Sequence, residues 1–375
     1  MKGYMLKKYF LLAIVLVSQA TVACHLKTPN KASGQLVQPG CALAVPANQA
    51  YTGAYIYFGL TEDNVTIEAI ENFEALVGKH QAIVASSSNW GKNSFPRSNM
   101  EIIANYGAIP LIYWLPWESR ADWDANRIDR YNLHDILAGK YDTYLSHWGD
   151  QARDFGRPLL VAWGLEMNGD WFPWSGIFYG GGASVAAGSA GRFAGAEIYK
   201  QAYRYVVDKV RSRNAKNIQW VFHLNSGTVP DEAWNNYKSY YPGADYVDWL
   251  GLSAYGQQYP YQKFWSVDDV FISSYKEIAA VDPDKPVILA EWGVGNFPES
   301  GSMSAWIAEF FRRIPGECPR IRAAVYWHEL WQNHDGSWSN LRVDATGDAL
   351  EEYRRGVASG YWRDRPLCEP AKPEP

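Results

Sequence analysis

Eight short runs of apolar residues recur along the chain, and they are continuous rather than alternating: TGAYIYFGL (52–60), HQAIVASSSNW (80–90), AIPLIYWLPW (108–117), PLLVAWGLEMN (158–168), IQWVFHLN (218–225), VDWLGLSAYG (247–256), PVILAEWG (286–293) and IRAAVYWHE (321–329). Strands of this kind are covered on both faces, which is the condition of a parallel sheet with helices packed against it. Helical stretches lie between them. EDNVTIEAIENFEALVGK (62–79) has apolar residues at helical spacing and a terminal Gly, and 196–215 and 305–316 read likewise. The closest strand starts are 28 residues apart, about one βαβ repeat.

Eight strands alternating with helices predict a single-domain (β/α)8 barrel. A doubly wound open sheet is the alternative, but it more usually carries five to seven strands. With 375 residues, 47% of them hydrophobic, the chain can bury such a core as one unit. The predicted barrel spans 51–366. It follows an export signal over 1–23 and a polar tether over 24–50, and it precedes a C-terminal tail over 367–375.

The signal is read from Lys2, Lys7 and Lys8 ahead of YFLLAIVLV, an apolar run too short to span a membrane as a mature helix. Cys24 follows Val22-Ala23 as a lipoprotein acylation site would, although Thr21 stands where Leu is usual. Export to the periplasm or cell surface is expected, either with a lipid anchor on Cys24 or by free secretion. Such a compartment permits disulfides. The expected bridge joins Cys318 and Cys368, with unpaired buried cysteines as the alternative.

Net charge is −5 and no Lys/Arg-rich block occurs, so the electrostatic footprint of a nucleic-acid binder is absent. Aromatic residues make up 15% of the chain, with 18 Trp, 25 Tyr and 14 Phe. Trp and Tyr rings offer flat platforms for sugar rings, and their position decides whether they do so here or simply fill the core.

Reactive groups of a (β/α)8 barrel project from the C-terminal strand ends. Those ends carry Asn89-Trp90, Trp114 and Trp117-Glu118, Glu166 and Asn168, Tyr255, Glu291-Trp292, and Trp327-His328-Glu329. Two carboxylates, Glu166 and Glu291, therefore stand at strand ends four and seven, over one mouth. A pair of carboxylates hydrolyses a glycosidic bond with retention when about 5–5.5 Å apart and with inversion at roughly 6.5–9.5 Å. Trp163, Met167 and Trp171 are expected to give Glu166 an apolar setting that favours its neutral form, and the Tyr255 hydroxyl to keep Glu291 charged. The spacing of His328-Glu329 and His334 is wrong for a zinc helix, so no metal and no other cofactor is expected. The Gly/Ala-rich stretch 175–195 does not join a strand to a helix as a phosphate cradle does, and reads as mobile surface.

GLEMNGDWFPW (164–174) resembles the EMNG-x-W-F-x-W signature of glycoside hydrolase family 26, LAEWG (289–293) its nucleophile strand, and LSAYG (252–256) its tyrosine strand. The similarity runs over about 52–330. It implies a retaining endo-glycanase acting on a polysaccharide; nothing in the sequence calls for more than a monomer. Glu166 would be the acid/base, Glu291 the nucleophile and Tyr255 its hydrogen-bond partner. Trp171 and Trp327 would stack on sugars, and Asn168 would support the acid loop. The wider set of expected substrate contacts adds Trp90, Trp114, Trp117, Trp174, Trp292 and His328.

The family's pattern places His directly before the acid/base, where this chain has Leu165. It also lacks the His expected near the end of strand three in mannan-cleaving members, having YWLPWES (113–119) instead. Leu165 implies a different sugar, a shifted acid pKa or a weakened enzyme, and the tryptophan-rich strand-three end tilts the expectation towards a β-glucan, β-1,3-1,4- or β-1,4-linked. β-1,4-mannan, β-1,3-xylan, an exopolysaccharide of the cell itself, and a barrel that binds carbohydrate without cleaving it stay open.

Overall fold

A computed structural model describes residues 37–126, 129–185 and 191–370. The expected export signal and Cys24 lie outside them. All eight apolar runs form strands: β1 (Ala50–Ile56), β2 (Ile83–Asn89), β3 (Ile109–Leu115), β4 (Leu159–Trp163), β5 (Ile218–Asn225), β6 (Trp249–Tyr255), β7 (Val287–Gly293) and β8 (Ile321–His328). They pair in parallel in chain order, and β8 returns to β1 in register from Tyr51↔Ala323 to Ile56↔His328, which closes a barrel. β1, β2, β3 and β7 are buried along all seven residues, the consequence of a sheet covered on both faces.

The crossovers carry helices α1 (Ile67–Val77), α2 (Arg97–Tyr106), α3 (Asp142–Phe155), α4 (Ala194–Arg211), α5 (Tyr237–Tyr240), α6 (Ser273–Ala279), α7 (Met303–Glu317) and α8 (Gly347–Val357). Local chemistry sets their ends. Thr66 caps α1 by accepting from the Ala69 N–H, and Gly78 closes it at φ +71, a left-handed position that glycine adopts without a Cβ clash. Ser302 caps α7 in the same way as Thr66.

Three expectations change. Residues 37–50 are not all tether: Cys41–Leu43 forms a short antiparallel strand with Cys368–Pro370, so the predicted tail also contributes to the fold. The Gln219 side chain on β5 meets both the Leu43 N–H and its carbonyl, which docks this strap against the barrel. The disulfide joins Cys41 to Cys368, not Cys318 to Cys368. Cys318 is buried and free. Sequence spacing could not reveal this, because strand pairing across 327 residues brings the two ends together.

The Gly-rich stretch after β4 is likewise not simply loose surface. Gly176 and Gly195 approach so closely that a Cβ on Gly195 would lie 2.1 Å from the Gly176 carbonyl oxygen. The Ser175 and Trp174 side chains are buried beside them. Residues 186–190 of this stretch lie outside the described set.

Candidate active site

The run PLLVAWGLEMN does not stay extended to its end. β4 stops at Trp163, and Gly164 and Glu166 both turn to φ +55. Glycine tolerates that region, whereas a glutamate there costs on the order of 1–3 kcal/mol and persists only where neighbours impose it. Several contacts do so. The Glu166 N–H donates to the His223 carbonyl on β5 at 2.8 Å, and the Gly176 N–H reaches the Met167 carbonyl at 3.0 Å. The Trp174 indole N–H donates to the Leu165 carbonyl at 2.7 Å. Asn168 is fully buried, and its side chain accepts from the Asn225 N–H and donates to the Asn225 and Gly227 carbonyls.

This clamp aims the carboxylate. Glu166 Oε2 accepts from the Trp171 indole N–H at 2.7 Å, and Oε1 from the Asn225 amide at 3.0 Å. Asn225 ends β5, so a strand-end residue orients the acid although Leu165, turned into the core, cannot. The predicted apolar setting is thus partly polar. Trp171 offers its N–H, and Trp163 turns to the outer wall against Tyr199 and Tyr203 of α4.

Glu291 lies on β7 opposite Ser253 of β6. The Tyr255 hydroxyl donates to its Oε2 at 2.7 Å, the partner expected from sequence. Burial, followed by the charge of Glu166, nevertheless pushes Glu291 well above the ordinary carboxylate range, against the hydrogen bonds from Tyr255 and Ser253. Tyr113 of β3 lies near both carboxyls. Its hydroxyl donates to the Ala290 carbonyl at 2.7 Å, and both glutamates act on it electrostatically.

The other expected contacts divide sharply. Trp171 is half-exposed at the mouth, and Trp327, only 9% exposed, stacks on Tyr55 with ring centroids 3.9 Å apart and lies 6.2 Å from Tyr113 on the inner face of the barrel. Trp90, Trp114, Trp117, Trp174 and Trp292 are buried, and the reading of them as substrate contacts is corrected. Trp114 stacks on Trp148 of α3, and Trp292 on Phe310 of α7. Trp117 and Trp174 pack on Phe172 under the acid loop. Asn168 is a brace, not a contact.

His328 accepts the Val343 N–H on Nδ1 and packs against Phe73 of α1. It lines a cavity of about 520 Å³ outside the barrel together with Arg342 and Asp344, away from the two glutamates. Sequence reading passed over Asn225 and Glu62, and gave Glu329 no role. The strand-end rule that found Glu166 would have found Asn225, but Glu62 comes from a loop and carries no such signal.

The model of glycosyl hydrolase family 26 matches residues 135–341, more than half of the chain. Endoglucanase H of Acetivibrio thermocellus is 31% identical over 296 residues, which cover 78% of this chain and 29% of that protein. The mannan endo-1,4-beta-mannosidase of Bacillus subtilis is 27% identical over 176 residues, covering 47% of this chain and 40% of that one. The chain therefore spans less than half the length of these relatives. GH26C from Muricauda sp. superposes with a TM-score of 0.61 at 15% identity, covering 84% of this chain and 87% of that one. The endo-beta-1,4-mannanase of Cellulomonas fimi gives 0.59 at 18% identity, with 88% and 76% covered. Both confirm the barrel fold. Joined to the family match, which includes both Glu166 and Glu291, these likenesses establish that the chain belongs to glycosyl hydrolase family 26.

Proposed function

We propose that this chain is an exported, retaining endo-β-glycanase that cuts internal bonds of a β-glucan, β-1,3-1,4- or β-1,4-linked. The carrying observation is that Glu166 and Glu291, from strands β4 and β7, lie close enough for the charge of one to raise the pKa of the other while Tyr255 donates to the second. In the first step Glu166 gives its proton to the glycosidic oxygen as a Glu291 oxygen bonds to the anomeric carbon. The bond to the leaving sugar breaks, and a glycosyl-enzyme ester forms. In the second step Glu166 takes a proton from water, the hydroxide oxygen bonds to the anomeric carbon, and Glu291 leaves as a carboxylate.

Support for a glucan comes from the endoglucanase relative and from the tryptophan-rich strand-three end YWLPWES (113–119), which lacks the His expected there in mannan-cleaving members. A β-1,4-mannan is the second reading, favoured by mannan-cleaving relatives at 30% and 27% identity. A β-1,3-xylan has weaker support, from a xylanase relative at 26%. Export is supported by the Cys41–Cys368 disulfide, a bond of oxidising compartments, and by the N-terminal run after Lys7-Lys8.

A reducing-sugar assay on mixed-linkage glucan, carboxymethylcellulose, β-mannan and β-1,3-xylan tests the reading. Mixed-linkage glucan should be cut fastest, with the β-anomer released first by NMR. Glu166→Gln and Glu291→Gln should each lower the rate on the order of a thousandfold. Wild-type turnover by either variant, or release of the α-anomer, would refute it.

A further inference from the structure

Four non-glycine residues among the described set have a positive φ: Asn93, Asn214, Glu166 and Glu62. Asparagine enters this region readily, and Glu166 is held there for catalysis. Glu62, at φ 56 in the loop after β1, is the other strained carboxyl bearer. Its backbone is pinned by its own N–H to the Gly59 carbonyl and by the Ser87 N–H to its carbonyl, both at 2.9 Å. Its carboxylate accepts from the Ser87 hydroxyl at 2.6 Å. Glu329 comes in from the end of β8, where its Oε2 accepts the Trp327 indole N–H at 2.9 Å and so holds the edge of the platform. The two acids act on one another electrostatically, and Arg120, which starts the short helix Arg120–Asn126 after β3 and pairs with Asp124 at 3.3 Å, acts on both by its charge.

Beneath them lies the Tyr55 ring that backs Trp327. Its hydroxyl is fully buried beside both carboxyls and has no hydrogen bond; the Phe58 N–H approaches without the geometry of one. Such an unmet group, under an acid pair and an arginine at the edge of a stacking ring, marks a place built for hydroxyl-rich ligand or its bridging water. It lies near the catalytic pair: β8, which ends at Glu329, neighbours β7 with Glu291, and the charge of Glu62 also acts on Glu291. It adjoins the nucleophile's strand, not the Trp171 side where the leaving sugar meets the acid.

We propose that Glu62, Glu329 and Arg120 form a glycone subsite beside the Trp327 platform, gripping the hydroxyls of the sugar unit that stays with Glu291. This rests on the glycanase reading and adds the residues that fix the chain's position. Carboxylate and guanidinium groups each hold a vicinal diol through charge-assisted hydrogen bonds.

The groups facing the subsite are Asp63 on the same loop, Arg120 and Asp124 after β3, Tyr259 after β6, and Glu291 on β7. Glu329 is pushed up to about 8 by burial and then by Glu62. It is therefore neutral below that pH and can donate its proton to a sugar oxygen. Above it, two adjacent negative charges weaken the grip.

The test is steady-state kinetics on a mixed-linkage glucan tetrasaccharide with Glu62→Gln, Glu329→Gln and Arg120→Ala, each first checked for an unchanged thermal transition. KM should rise about tenfold for Glu62→Gln and Arg120→Ala, the worth of one charge-assisted bond, with kcat little altered. Wild-type KM should climb as pH passes through about 8, and Glu329→Gln should abolish that climb. Unchanged KM and an unchanged pH profile in all three variants would overturn the subsite. So would losses confined to kcat. Calorimetric binding of the tetrasaccharide to Glu291→Gln protein separates this from the parent reading. If wild type cuts nothing yet Glu62→Gln still weakens binding, the glycanase assignment fails and the subsite stands; if Glu62→Gln leaves binding intact, the subsite fails.

Discussion

Neighbouring residues on β7 have opposite fates, and so do their counterparts on β8. Glu291 faces the mouth, while Trp292, one position on, lies in the wall with its ring 3.6 Å from that of Phe310. On β8 the order reverses: Tyr326 meets the Trp292 edge in the wall at 4.8 Å, and Trp327 faces the mouth. Successive side chains of a strand point to opposite faces, so a one-residue difference in parity turns a ring at the mouth into core filling. Wall tryptophans such as Trp114 and Trp292 are fully buried, and dispersion and burial account for them. Mouth tryptophans are tied instead by their N–H groups to carboxylates, Trp171 to Glu166 and Trp327 to Glu329. The same residue type therefore contributes stability in one region and positions acids in the other.

Substitutions can break that contrast. Trp114→Ala should cost the most, about 3–5 kcal/mol of unfolding free energy, since it empties a stack on Trp148. Denaturant titration would show this, while kcat per folded molecule stays near wild type; a large fall in kcat at full stability would dissolve the distinction between wall and mouth.

Tyr255→Phe should do the reverse. It removes a hydrogen bond to a charged group, worth about 1.5–3 kcal/mol, so kcat should fall between tenfold and a hundredfold with little change in stability. That bond lowers the pKa of Glu291, so its loss should move the acid limb of the rate profile to higher pH. A limb that stays put or moves down would show that Glu291 is not the group that must ionise.

Trp171→Phe keeps one aromatic ring and removes the N–H donor together with the five-membered ring that carries it. With Asn225 still holding Oε1, a fall in kcat of about tenfold is expected. No change would mean that the contact merely fills space.

The smallest effect concerns stability at the mouth. The folded pKa of Glu291 lies above the unfolded value, so its ionisation opposes folding as pH rises above the unfolded pKa. Glu291→Gln should therefore raise the melting temperature at pH 7 and have little effect at pH 4. Equal melting temperatures for the two proteins at pH 7 would indicate that the carboxyl carries no such penalty.

Much of this molecule could be read before it was folded. Eight apolar runs became eight strands because a strand covered on both faces needs an unbroken apolar segment, and that requirement is local. Glu166, Tyr255 and Glu291 could be picked out because a barrel presents the C-terminal ends of its strands at one mouth. Other features depended on partners remote in the chain. Trp90, Trp114 and Trp292 share the composition of a sugar site and the position of a strand end, yet twist and parity turned them into the wall. Asn225 took over the orientation of the acid, Cys41 met Cys368 across 327 residues, and Glu62 came to Glu329 only when β8 closed on β1. By itself the sequence determined the strands, the closed barrel they imply and the two glutamates at its mouth, since each depends on residues adjacent in the chain. Which side chains face that mouth, and which distant groups hold them there, was decided only by tertiary structure, because barrel closure sets those distances and no local pattern encodes them.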